Sequence, residues 1–255
     1  MKIISKHPAN KLNDLQRIKF KEHLDYLRPN RFVTDTHRKI IELCQTQKFI
    51  ENLDSQSYIE TVRERPDFII NYDGQLIGLE HEVLLESDIK RKEGFFENLC
   101  LKVEERFHNE NYPDSFLAGI YFNENYIFKN RHKQKYLDDI YYRILNVKDA
   151  EIFKPDEMIS RIDIQPHSQI NVYANFGGWA QDWVDSVNLE NAIKRKEKKY
   201  DNYIANTGLN QWLLIVAATG FSSSLAVKEA FNYKHKSRFE RVFILEDGGG
   251  ELYEV

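Results

Sequence analysis

A two-residue Asp73-Gly74 turn between two β-rich runs, Asp67 to Tyr72 and Gln75 to Leu84, constrains this chain more than any other feature of it. A type I′ hairpin turn needs positive φ at both central positions, and an Asp-Gly pair supplies that at little steric cost. Such a turn fixes the register, because the numbers of facing residues then sum to a constant. Tyr72 faces Gln75, Asn71 faces Leu76, and Asp67 faces Glu80. Directly opposed residues hold their Cβ atoms about 4.5–5.5 Å apart on one side of a sheet. Two carboxylates placed there repel each other unless something positive lies between them. A divalent cation is the simplest such object, and hard oxygen ligands suit Mg²⁺. A loop longer by one residue would shift the register and separate the pair.

Strand alternation adds a second constraint. Gly78, Glu80 and Glu82 share one face of the second run, while Ile77, Leu79 and Val83 share the other with His81. One face is mostly apolar, and the other presents two carboxylates beside a glycine expected to leave open space. An edge strand with a polar solvent face would alternate in the same way. The opposed Asp67 is what favours a site.

The rest of the chain reads as mixed α/β. The first sixty residues read as helical, with one segment from about Leu12 to Leu27 and another, capped by Thr34 or Asp35, running to Leu53. A long helix is predicted over Asp88 to His108, a strand over Phe116 to Phe122 and a helix over Lys135 to Leu145. Lys148 to Gln169, broken by Pro155 and Pro166, gives no clear pattern. Ile170 to Ala174 reads as a strand, Gly177-Gly178 as a turn, and Leu189 to Ala205 as one amphipathic helix. Gln211 to Thr219 is a continuous apolar run suited to a strand buried on both faces. Arg241 to Leu245, a Gly248-Gly249-Gly250 turn and a short last strand close the chain.

Composition narrows the setting. A net charge of −4 does not advertise nucleic-acid binding, although a metal site needs carboxylates in its floor. The basic runs Lys90-Arg91-Lys92 and Lys194 to Lys199 read, each alone, as solvated helix faces. Cys44 and Cys100 lack metal-type spacing, and with no signal peptide they are expected to be buried thiols in a reducing cytoplasm. The longest apolar run, Trp212 to Ala218, is too short to cross a bilayer. A soluble cytoplasmic protein without membrane contact is the expectation. The eight histidines show no HExxH spacing, so His81 reads as packing. Neither a Walker sequence nor a GxSxG elbow is present.

Arg65-Pro66-Asp67-Phe68-Ile69-Ile70, a turn, and then Ile77-Gly78-Leu79-Glu80-His81-Glu82 resemble the PD-(D/E)XK motif of the restriction-endonuclease-like superfamily. The match covers about twenty residues, and elsewhere only the order of elements agrees. The resemblance implies a mixed central β-sheet flanked by helices, with Asp67 and Glu80 as ligands of Mg²⁺ or Mn²⁺. It also implies a helical N-terminal segment at 1–62 and a core at 63–255, with 88–180 largely an insertion. The family usually has lysine where Glu82 stands. Some relatives carry glutamate there and others draw the lysine from a neighbouring helix, so Glu82 is an extra metal ligand, a base, or the mark of an inactive site. An early helix often adds an acid, for which Glu42 and Glu60 both qualify.

The late helix offers a replacement lysine. At 100° per residue Lys196 lies near the middle of a stripe formed by Leu189, Ile193, Tyr200, Tyr203 and Ile204. A lysine on a buried face must snorkel, pair with an acid, or bear a heavy desolvation penalty. Lys196 and Tyr200 also resemble the Gln-x-x-x-Tyr motif of exonuclease-like relatives, with lysine for glutamine. The expected activity is metal-dependent phosphodiester hydrolysis in nucleic acid, DNA before RNA, with Asp67, Glu80, Glu82 and Lys196 as the catalytic set. One alternative is an inactive nuclease fold used for binding or assembly. Another is glycoside hydrolysis by the two carboxylates, against which no tryptophan is linked to the hairpin in sequence.

Overall fold

The computed structural model describes residues 2–6, 13–53, 56–84, 87–123, 126–149, 153–175, 183–217, 225–227 and 236–255. The chain divides into two compact units. One comprises Met1–Leu85, Gln181–Gly220 and Ser224–Val255, and the other Glu86–Ala180 with Phe221–Ser223. The expected turn at Gly177-Gly178 lies outside the described residues, as do Ala218 and Thr219 at the end of the late apolar run.

The first unit is built on a seven-stranded mixed sheet of order β1-β10-β9-β8-β4-β3-β2. Its strands are β1 (Lys2–Lys6), β2 (Tyr58–Val62), β3 (Phe68–Tyr72), β4 (Gln75–Val83), β8 (Gln211–Ala217), β9 (Arg241–Glu246) and β10 (Glu251–Glu254). The Asp-Gly turn forms as the sequence requires, with φ of 50° at Asp73 and 79° at Gly74. Tyr72 pairs with Gln75, and the ladder continues to Phe68 opposite Leu79. Asp67, the next residue, therefore stands across from Glu80. β4 then runs parallel to β8, and β8 parallel to β9.

Helices cover both faces of this sheet. α1 (Asp14–Leu27) and α2 (Thr34–Leu53) lie on one side. There Leu43, Phe49 and Ile50 of α2 pack with Phe68, Ile70, Ile77, Leu79, Leu214 and Phe243. On the other side are α5 (Ser186–Glu197) and α6 (Tyr200–Thr207), with Leu189, Ala192, Ile193 and Tyr203 against Leu213, Ile215 and Ile244. All seven residues of β8 are buried, because its alternate side chains serve the two cores in turn. Each such aliphatic side chain contributes about 1.5–3 kcal/mol.

Three expectations change here. Residues 1–62 are not wholly helical: β1 and β2 belong to the same sheet as the hairpin. The late helix is not continuous, since α5 ends at Glu197 and α6 begins at Tyr200. Cys44 is exposed on α2, while Cys100 is buried.

The second unit holds a three-stranded sheet, order β6-β5-β7, of β5 (Phe116–Phe122), β6 (Ile159–Pro166) and β7 (Asn171–Asn175). Helices α3 (Ser87–Asn109) and α4 (Lys133–Lys148) supply Phe96, Phe107, Tyr136 and Ile140 to its aromatic core. β6 spans the stretch where the two prolines obscured any pattern.

Candidate functional site

The site lies at the end of the hairpin, where β4 passes beneath α5. Alternation along β4 sends Leu79 into the α2 core and Glu80 and Glu82 toward the α5 side. Glu80 is 5 % exposed. Its Oε1 receives the Lys196 ammonium at 2.7 Å and the Tyr203 hydroxyl at 2.8 Å. Its Oε2 is buried without a hydrogen-bond partner. The Lys196 ammonium also donates to the His81 carbonyl at 2.7 Å and lies 3.1 Å from Glu82 Oε2. Glu82 pairs in addition with Arg195, which stands at the exposed edge of the cluster.

Local sequence explains how Lys196 arrives there. Asp185 caps α5 by accepting the Asn188 N–H, and the Asn188 side chain returns the bond to the Asp185 N–H. That capping sets the rotation of a helix whose buried stripe is Leu189, Ala192, Ile193 and Lys196. The break at Lys198-Lys199 then changes the phase of α6. As a result Tyr203 reaches Glu80, while Tyr200, the residue the motif resemblance favoured, packs edge-on against Phe239 at 5.3 Å. Treating 189–205 as one helix puts both tyrosines on the stripe and cannot choose between them.

Asp67 is held from the other side. Its Oδ1 takes the Lys39 ammonium at 3.1 Å and its Oδ2 the His81 N–H at 2.9 Å. Lys39, on α2, also meets Glu42 Oε2 at 2.9 Å and Glu64 at 3.2 Å. Of the two early acids, Glu42 joins the cluster. Glu60 sits on β2, and its side chain makes no hydrogen bond or ion pair among the described residues. Lys39 was missed in the sequence, although its spacing three residues before Glu42 puts both on one helix face.

The electrostatics push the two carboxylates apart. Burial raises Asp67, but Lys39, Lys196 and the His81 N–H outweigh it and hold its carboxyl below the ordinary value. Glu80 is raised, first by burial and then by the Asp67 charge, against the pull of Lys196 and Tyr203. Burial lowers Lys196 and Lys39, yet their acid partners win and both stay firmly protonated. His81, enclosed on the α2 side, is pushed down to about 4 by burial and is neutral at pH 7.

The space expected beside Gly78 is filled. A Cβ there would lie 2.4 Å from Gln211 Oε1, so the glycine admits the Gln211 side chain rather than a ligand. Trp212 does touch the hairpin, with its ring 4.9 Å from Tyr72. It does so within the α2-side core, on the face away from Glu80.

Among the described residues no three His, Cys, Asp or Glu side chains converge as a ready-made metal cage. The donors able to take a hard cation are Glu80, through its unpartnered Oε2, Asp67 opposite it, and the His81 carbonyl. Mg²⁺ commonly binds through one or two carboxylates and keeps several waters, so this oxygen set fits it. No family model, curated protein or solved structure matches the chain. Among the described residues no helix is long and apolar enough to cross a membrane.

Proposed function

We propose that this chain is a metal-dependent nuclease of the PD-(D/E)XK kind, with a restriction-endonuclease-like core, hydrolysing phosphodiester bonds in DNA. One observation carries the reading. Glu80, buried on β4, and half-buried Asp67, just before β3, stand across from each other with Lys196 delivered to them by a separate helix. A bound Mg²⁺ or Mn²⁺ would lower the pKa of a coordinated water and offset charge growing on the phosphate. The chain's own groups do the rest. Asp67 and Glu80 supply the negative floor, and Tyr203 orients Glu80 so that Oε2 stays available. Lys196, protonated and about 100° around the helix from solvent-facing Arg195, is placed to steady the nucleophilic water or the phosphate. Glu82 holds Lys196 and Arg195 in place, which gives a glutamate at the usual lysine position a role of its own.

The test is incubation of the purified protein with DNA and RNA in Mg²⁺ or Mn²⁺. Cleavage is expected, with loss of at least about a hundredfold in Asp67→Ala and Glu80→Ala, on the scale of a removed electrostatic element. Undiminished cleavage in those variants would sink the assignment.

A second reading has its own support. Lys39 and Lys196 already neutralise Asp67 and Glu80, so the cluster is stable without metal and suits a nuclease-fold module that only binds nucleic acid. Calorimetric titration separates the two. Absence of Mg²⁺ and Mn²⁺ binding, with DNA still held, favours the binding module.

A further inference from the structure

We infer that Arg65 and Arg195 form a phosphate-gripping rim at the mouth of the carboxylate cluster, and that the ligand is a DNA strand held through phosphates on either side of the one at the site. This substrate class rests on the nucleic-acid reading above. The cluster's floor is acidic and the whole chain carries −4, so a polyanion approaches only where cations stand at the entrance.

Arg65 is such a cation. It is exposed, two residues before Asp67, and its side chain makes no hydrogen bond or ion pair among the described residues. Its backbone is in the left-handed region, φ 58°, a conformation that disfavours a side chain by about 1–2 kcal/mol. The fold holds it there: Asn206 Nδ2 donates to the Arg65 carbonyl at 2.9 Å. Asn206 lies on α6 one turn beyond Tyr203, the residue bonded to Glu80. Strain maintained beside a site without any partner for the side chain points to a ligand outside the chain.

Arg195 stands on the α5 side, its side chain 57 % exposed, with Glu82 as its ion-pair partner. Its neighbour Lys196 holds Glu80. Each arginine is thus tied to the same glutamate through one intermediate element, α6 for Arg65 and α5 for Arg195. A guanidinium fork matches phosphate in a bidentate way.

The experiment measures binding of a short fluorescent DNA duplex to the full-length protein in EDTA across a series of KCl concentrations. Arg65→Ala and Arg195→Ala are each expected to weaken binding several-fold. Each should also reduce the slope of log K against log salt by about 0.9, the value of one phosphate contact. Arg65→Lys should retain most of the slope, and Arg17→Ala, which removes the same charge from α1, should change neither quantity. Wild-type slopes in both alanine variants, or no binding by the wild type, overturn the rim. Since no hydrolysis occurs in EDTA, the two readings fail separately. Metal-dependent cleavage with unchanged slopes keeps the nuclease and removes the rim. Altered slopes in a protein that never cleaves keep the rim and remove the nuclease.

Discussion

Tyr203 donates its hydroxyl to Glu80 Oε1, the same oxygen that holds Lys196, and so leaves Glu80 Oε2 as the carboxylate's unsatisfied atom. Tyr203→Phe keeps the ring in its fully buried place and removes only this bond. A hydrogen bond to a charged acceptor is worth about 1.5–3 kcal/mol, and a loss of that size is expected in urea denaturation. The loss should shrink in a Glu80→Gln background, where the acceptor is neutral.

Lys39 serves Asp67 and Glu42 together. Removing one partner of a fully buried ion pair costs about 3–5 kcal/mol, and because Lys39 and its partners are only half-buried Lys39→Met should cost less than that by chemical denaturation. The pH dependence has a definite sign. Asp67 is depressed in the folded state, so its contribution is present above the unfolded carboxylate pKa and is lost as pH falls through the folded value. Lys39 is raised, so its share is complete below the unfolded lysine pKa. At neutral pH both are at full strength, and the penalty of Lys39→Met should shrink on acidification.

His81 adds a second loss on the acid side. Its folded pKa is about 4 against an ordinary 6.5, so the unfolded chain takes up a proton that the folded one refuses. Stability then falls as pH drops from 6.5 toward 4, by roughly 3 kcal/mol for a shift of this size. His81→Gln should flatten that segment of a plot of urea midpoint against pH. An unchanged slope would show that the imidazole is not enclosed.

The hairpin and its facing carboxylates were legible in the sequence because an Asp-Gly turn carries its own register. Lys196 was legible because a cation in an apolar stripe is conspicuous. Other parts depend on distant chain. β1 pairs with β10 from the opposite end of the sequence, and β2 carries a bulge between Ile59 and Thr61 that spoils its alternation. The choice of Tyr203 over Tyr200 turns on a helix break at two lysines that look like good helix formers. Lys39 became visible only once α2 was laid against the end of β3.

Gly78 is the site of a packing prediction. Its absent side chain is replaced by that of Gln211, whose Nε2 donates to Thr207 Oγ1 and the Leu209 carbonyl. Gly78→Ala should destabilise by about 1–3 kcal/mol through overpacking, read as a shifted thermal midpoint. Gln211→Ala in the same chain should recover part of that loss, because it opens the space the new methyl group needs.

The parallel pairing of β4 with β8, Gly78 beside Gln211, sets the order of events during synthesis. A ribosome must emit residues Glu86–Ala180 of the second unit before the strand that seals β4 exists. At bacterial and eukaryotic translation speeds that delay is roughly ten seconds. Throughout it Glu80 waits without Lys196 or Tyr203, and one edge of β4 has no ladder partner. The nascent protein therefore carries an open strand edge and an uncompensated acid, and it acquires its charge balance only once Lys196 and Tyr203 have been made. Any catalytic power housed in this cluster is withheld until α5, α6 and β8 have been made.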